Sequence, residues 1–322
     1  MQQFKNILYV SNPELKDDDA FKRAVSLAEH NQAQLTVVSI MEESPSQSSM
    51  DIQGLSIPQL QDAIKEKQLL QLQAMVTSLD EKSFQLHCKV LTGVNFLSLI
   101  QEVLRQKYDL LIKTADDEGF FDKLFTSSDM HLLRKCPCPV WLIKASQRGH
   151  YQKIMAAVDF DPFVHKLDID LLNKQILDTS LALALSDISE LHIAHVWSAY
   201  GESSMRSGLA YQPVAYVDAY VERIRAKHQF VLDKLVADTL SKSNNTRLNK
   251  LKPKIHMVKG LAKNMLPKIA TEQKIDIVLM GTVGRTGVPG FIMGNTAETV
   301  LNRIDCSVLA VKPEGFVSPI SL

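Results

Sequence analysis

Little in this chain is in excess. Its 322 residues hold only four cysteines and two tryptophans, and 36 Lys and Arg are cancelled by 36 Asp and Glu. Four cysteines, three of them in the first half, do not make a disulfide framework. A net charge of zero, with neither half strongly basic, argues against nucleic acid as a main partner. No apolar run approaches the roughly 18 residues that span a bilayer, so no membrane partner is expected. The N-terminus, MQQFKNILYVS, runs directly into a strand-like stretch and lacks a signal-peptide core of sufficient length. These absences together point to the cytoplasm. Also absent is a nucleophile–His–acid arrangement at recognisable spacing.

What is present is a repeat. Lys5–Val10 and Lys153–Val158 are short apolar strands, and each runs into a Pro-containing loop, at Pro13 and at Pro162. Gly93 precedes Asp109 by the same 16 residues that separate Gly260 from Asp276. Leu110–Ile112 then parallels Ile277–Leu279, and Cys138–Lys144 parallels Cys306–Lys312. A unit of about 150 residues occurring twice is a duplicated domain rather than a solenoid. The polar stretch SQRGHYQ, 146–152, marks the junction, giving domains at 1–148 and 149–322.

Apolar strands alternate with helical periodicity inside each unit. Strands are expected near 6–11, 34–41, 84–91, 109–114 and 140–145, and again near 153–159, 190–198, 254–259, 276–281 and 306–312. Helices fall near 17–31, 58–79, 95–107 and 127–135, then near 165–186, 214–240, 262–273 and 295–303. This alternation predicts α/β architecture, with two tandem doubly wound five-stranded parallel sheets. Ligands of such sheets sit at the carboxyl ends of the central strands. Two segments, 42–57 and 199–213, rich in Ser, Gly, Pro and Met, read as surface connectors, or as flaps over a cleft.

The densest chemical signal lies near the C-terminus, where five of the thirteen glycines fall between 281 and 294. The apolar run Asp276–Met280 reads as a buried strand. Asn295 with Glu298 three residues on reads as a capped helix start. Strand, glycine loop and helix N-terminus together form a phosphate cradle, because glycine admits close backbone approach and the helix end supplies unpaired N–H groups. No Lys follows the glycines, which excludes the P-loop pattern, and the first gap excludes GxGxxG. The spacing is Gly281, two residues, Gly284, nine residues, Gly294, then Asn295 and Thr296.

That spacing resembles the nucleotide-binding signature of the ATP-binding universal stress proteins, with Asn295 where that family has Ser or Thr. The order of strands and helices is similar to the same family over nearly the whole chain. The resemblance implies a Rossmann-like fold for each unit, pairing of the two last strands, Val140–Ala145 and Val308–Lys312, into a pseudo-dimer, and a role in survival under stress or DNA damage. It also implies a site made of Asp159, Val196, Met280, Gly281, Gly284, Arg285, Gly294, Asn295 and Thr296. The ligand it implies is ATP, with or without Mg²⁺. In the family, Asp159's position meets the ribose or a metal bridging the phosphates, and that of Val196 touches adenine. On pairing of two whole chains into a homodimer the sequence is silent.

The repeat also predicts that the halves differ. Thr114, Asp117 and Thr126 stand where the second half has Gly281, Gly284 and Gly294, and Ser11 stands where it has Asp159. Asp116, Asp117 and Glu118 would repel phosphate. The first half is therefore expected not to bind ATP. Its Phe120, Phe121, Leu124 and Phe125 read either as packing or as a site for an apolar or amphipathic ligand. His87, Cys88, Cys136 and Cys138 are ligand types for Zn²⁺, but CxC is tighter than the common spacing and structural thiols are the simpler reading. His195 and His256 read as packed or edge histidines. ATP as a regulatory ligand competes with two other readings, a slow ATPase or adenylyl-transferring enzyme and a small-molecule interaction module.

Overall fold

The computed structural model describes residues 4–11, 19–42, 57–77, 79, 84–115, 125–144, 150–164, 167–241, 251–282 and 293–322, Asp168's side chain excepted. The first half contains β1 (Asn6–Val10), α1 (Asp19–Asn31), β2 (Gln34–Met41), α2 (Ile57–Thr77), β3 (Leu86–Thr92), α3 (Asn95–Gln106), β4 (Leu110–Thr114), α4 (Ser127–Lys135) and β5 (Val140–Ile143). The second contains β6 (Lys153–Ala157), α5 (Leu167–Asp187), β7 (Glu190–Trp197), α6 (Glu202–Ser207), α7 (Val214–Ser241), β8 (Lys254–Lys259), α8 (Ala262–Gln273), β9 (Ile277–Gly281), α9 (Asn295–Leu301) and β10 (Ser307–Val311).

All ten strands form one sheet in the order β3-β2-β1-β4-β5-β10-β9-β6-β7-β8. Each half is parallel throughout, and the halves join where β5 and β10 pair antiparallel, Val308 opposite Leu142 and Ala310 opposite Val140. Joining the last strands covers two edges that would otherwise present unpaired backbone groups. Within each half the strand order reverses beside the first strand, between β1 and β4 and between β6 and β9. These are the switch points where a doubly wound sheet opens a crevice.

Strands alternate side chains between two covered faces, which is why they read as nearly unbroken apolar runs. Ile7, Tyr9, Ile112, Trp141, Ile154, Leu279 and Leu309 share one core with α1, α2, α5 and α7. Leu8, Leu111, Leu142, Met155, Val278 and Val308 share the other with α3, α4, α8 and α9. Each core runs without interruption across both halves.

The duplication is visible in backbone detail. Lys107 and Lys274 both end their helices in the left-handed region, at φ 56° and 53°. Asp109 and Asp276 then turn back to accept N–H bonds from the start of the first strand, Lys5 and Asn6 in one half, Gln152 and Lys153 in the other. Other contacts join the halves. Arg23 of α1 crosses to the second half and forms a two-pronged ion pair with Asp187, at 2.9 and 2.6 Å, beneath the face of Tyr151. Tyr151 in turn accepts a bond from the Trp141 indole.

The segment 199–213 differs from a bare connector. It contains α6, and Glu202 of that helix binds Arg206 and Lys259, while Arg206 reaches Asp218 on α7. These ion pairs fix it at the strand-end edge beside β7. The other long segment lies outside the described residues but for its first residue and the first residue of α2. Among the described residues no helix is long and apolar enough to cross a membrane.

Candidate functional site

The candidate site is built on the carboxyl ends of three neighbouring strands, β9, β6 and β7. Register aligns Ala157 with Met280 on one side and with Ala194 on the other. Asp159 lies two residues past Ala157, Val196 two residues past Ala194, and Gly281 ends β9. The sheet therefore brings Asp159, Val196 and Gly281 to one edge at the switch point.

Asp159 is exposed, and its backbone is held from both sides. The Asn173 side chain of α5 accepts from the Asp159 N–H at 3.0 Å and donates to its carbonyl at 2.9 Å. Asn173 is buried, so this clamp sets where the carboxylate leaves the sheet. Behind it, His195 Nδ1 faces the Val158 carbonyl at 3.2 Å, and Nε2 faces His228 Nδ1 at 2.8 Å. A carbonyl only accepts, so His195 donates from Nδ1 and, while neutral, accepts at Nε2. Phe160 stacks on His195 at 3.9 Å. His195 is thus a packed histidine that braces the strand end. Val196, half-buried, leans on the α8–α9 core.

Met280 is buried in that same core, so its side chain is packing. At Gly281 a Cβ would lie 2.9 Å from Leu172 Cδ2, so a larger residue there would require that half-buried side chain to shift. Gly284 and Arg285 lie outside the described residues. The two ends of their loop are tied together by the Gly294 N–H, which donates to the Thr282 carbonyl at 3.2 Å. Thr282 donates its hydroxyl to Leu133 O in α4 at 3.1 Å, and the buried Lys312 ammonium donates to both. One foot of the glycine loop is therefore fastened to the first half.

The helix start differs from the sequence expectation. Gly294, not Asn295, is the N-cap of α9, and no side chain caps it. Asn295 and Thr296 are exposed in the first turn. Glu298 turns away to Arg134 of α4 at 3.1 Å. Glycine is an acceptable N-cap but leaves the first N–H groups without a side-chain acceptor.

The corresponding corner of the first half is closed by its own side chains. Thr126 caps α4 by accepting from the Asp129 N–H, and Asp129 accepts from the Thr126 N–H, a reciprocal capping box. The other Asp129 oxygen takes the Lys113 ammonium at 3.0 Å, and Lys113 also donates to the Thr114 carbonyl. Lys113 is 5% exposed and Asp129 0%. In the repeat these residues replace Met280 and Ala297. The acidic loop Asp116–Glu118 lies outside the described residues, as do Phe120, Phe121 and Leu124. Phe125 is buried in the core. The missed signal was a lysine in β4 matched, sixteen residues on, by an acid in the first turn of α4.

His87 is exposed and Cys88 half-buried, while Cys136 and Cys138 are buried together. Among the described residues no group of three or more His, Cys, Asp or Glu is placed to hold a metal.

A doubly wound α/β domain, duplicated in one chain and closed on itself through its last strands, defines the class. A sequence model of the universal stress protein family matches residues 3–144 and again 150–312. The chain belongs to that family, whose role is in the stress response. It is 27% identical over 336 residues to universal stress protein E of Escherichia coli K12, covering 100% of this chain and 98% of that one. It is 29% identical to universal stress protein E of Salmonella typhi over the same coverage. Among solved structures, a universal stress protein from Archaeoglobus fulgidus superposes with a TM-score of 0.62 at 15% identity, covering 96% of this chain and 99% of that one. A Pseudomonas aeruginosa UCBPP-PA14 protein gives 0.68 at 21%, covering 98% and 95%. At such identities the likeness is one of fold.

Proposed function

We propose that this is a cytoplasmic stress-response protein that binds one ATP, in its second half, as a regulatory ligand. The observation that carries the reading is the contrast between the two strand-end corners. Thr126, Asp129 and Lys113 satisfy one another in the first half, whereas the second offers Gly281, an uncapped Gly294 and the exposed first turn of α9. Unpaired N–H groups at a glycine loop suit phosphate.

The phosphates would lie along the loop from Gly281 through Gly284 and Arg285 to Gly294, Asn295 and Thr296. Asp159, positioned by Asn173, would meet the ribose hydroxyls or a Mg²⁺ ion, for which a carboxylate is suited. Val196 would supply apolar contact to adenine, and Met280 the packing that supports β9. Occupancy would shift a conformational population rather than drive chemistry.

Mass spectrometry of small molecules released from natively purified protein tests this. About one equivalent of ATP per chain, with no hydrolysis in a single-turnover assay, is the expected result. Release of an apolar molecule without nucleotide, and no binding on ATP addition, would overturn it.

A further inference from the structure

Cys136 and Cys138 stand where the two halves meet, between the end of α4 and the start of β5. Their sulfur atoms are 3.6 Å apart and share a hydrogen bond. Cys136 is 0% exposed and Cys138 6%. Beside them lies Lys312, the residue after β10, buried with its ammonium bonded to Leu133 O and Thr282 Oγ1 and its Nζ 5.2 Å from the centre of the Phe316 ring. Pro137 and Pro139, which flank Cys138, line a cavity of about 470 Å³ together with Lys312 and Phe316. A small polar molecule can therefore come within one residue of the thiols.

A disulfide needs an S–S distance of about 2.04 Å, so each sulfur must move by only about 0.8 Å. The two sulfurs share one hydrogen bond, and the Lys312 charge acts on both. Burial alone would raise the Cys136 thiol, but the hydrogen bonds from Cys138 and the Lys312 charge outweigh it and pull it below the usual range. Cys138 is pushed well above that range, by burial first and then by its bond and charge repulsion with Cys136. Burial brings Lys312 down to about 8, against the pull of both sulfurs. An acidified thiol beside a cation, next to a partner thiol, is the arrangement of an attacking and a resolving cysteine.

We propose that Cys136 and Cys138 form a reversible dithiol–disulfide site that is oxidised by small hydroperoxides, with hydrogen peroxide as the simplest. The Cys136 thiolate attacks one peroxide oxygen and the O–O bond breaks. The departing hydroxide takes a proton to become water, and Cys136 is left as a sulfenic acid. Cys138 then attacks that sulfur, the S–O bond breaks, and its proton leaves with the hydroxide as a second water. The two thiols lose two electrons and the peroxide gains them. A dithiol reductant reverses the change by exchange. Because Lys312 also holds Thr282, the event occurs at the foot of the glycine loop.

The test uses the full chain carrying Cys88→Ala, which removes the half-buried thiol and leaves three cysteines. After hydrogen peroxide, alkylation in denaturant and mass spectrometry should find one free thiol and a mass lower by two hydrogens. Peptide mapping should join Cys136 to Cys138, and dithiothreitol should restore both. Cys306, whose thiol burial pushes up to about 12, should stay reduced. Cys138→Ala should leave Cys136 as sulfenic or sulfinic acid. Cys136→Ala should leave Cys138 unreacted. Lys312→Met should slow oxidation, because it removes the cation that favours the Cys136 thiolate. Three free thiols after a peroxide dose that oxidises Cys88 in the unaltered chain would overturn the proposal. So would equal reactivity of Cys138 when Cys136 is absent. The disulfide readout does not depend on whether Lys312→Met folds.

Discussion

The corners at the ends of β4 and β9 began as copies and now solve the same problem in opposite ways. Each must deal with the unpaired N–H groups of the helix that follows. In the first half Thr126 and Asp129 answer them, and Lys113 neutralises the acid that does so. In the second, glycine stands at the cap and apolar Met280 and Ala297 replace the ion pair. The capping box ties up two of the N–H groups at that helix start and its carboxylate would repel an anion. On the proposed function, the corner without a side-chain cap keeps its donors for a ligand.

The largest effect should come from breaking the closed corner. Asp129→Ala takes the Asp129 carboxylate from the buried Lys113 ammonium and removes half of the capping box. Loss of one partner of a buried pair costs about 3–5 kcal/mol. Urea unfolding should show that loss. Adding Lys113→Met, which gives the first half the second half's residues, should recover most of it, because an apolar pair of similar volume is often neutral. If the double variant is no better than the single one, the pair is not what Asp129 serves.

A smaller effect separates the halves by pH. His192 on β7 and His256 on β8 stack with their Nδ1 and Nε2 atoms 2.9 Å apart. Burial holds both below the usual histidine range, helped by each other's charge for His192 and by Lys254 for both. Glu190 opposes this for His192, but more weakly. The unfolded chain takes up protons near pH 6.5, while the folded pair resists them. Between that point and the depressed folded values the unfolded state binds more protons, so stability falls as pH drops below about 6.5. The slope is at most about 1.4 kcal/mol per pH unit for each ring. Thr36 stands on β2 where His192 stands on β7. Hydrogen exchange should accordingly quicken at β7–β8 on acidification more than at β2–β3. Equal acceleration at both edges would remove this difference between the halves.

The smallest effect should come from the bridge between the corners. Arg134 and Glu298 are 31% and 42% exposed, so their ion pair is screened by water. Arg134→Ala should lower stability by about 0.5 kcal/mol, and less at high salt. A loss several times larger would mean that the halves are joined at this seam more than at Arg23–Asp187.

The strands were legible because doubly covered strands are written as short apolar runs, twice over, whereas the joining of the last strands was expected only from the family resemblance. The glycine spacing pointed to the end of β9, which the sheet sets at one edge with Asp159 and Val196. The details that arm and disarm that edge were less legible. Asn295 looked like a cap because its side chain suits one, yet Gly294 takes that place. The clamp by Asn173 joins a loop to a helix fourteen residues on and leaves no periodic trace. Lys113 and Asp129 are each unremarkable alone, and become informative only when set against Met280 and Ala297. In 199–213 a six-residue helix held by ion pairs carries no apolar period.

The central claim is that only the open corner binds ATP, and isothermal titration of three proteins tests it most directly. The unaltered chain should bind one ATP. Gly284→Asp, which sets a carboxylate and a Cβ against the phosphates, should cost about 2–4 kcal/mol, roughly 30- to 1,000-fold in affinity. The mirror change, Asp117→Gly, should leave binding unaltered, because Lys113, Thr126 and Asp129 still close that corner; contrary to the sequence expectation, strand register matches Ser11 with Val158 rather than with Asp159. A stoichiometry of two, or equal damage from both substitutions, would contradict the account.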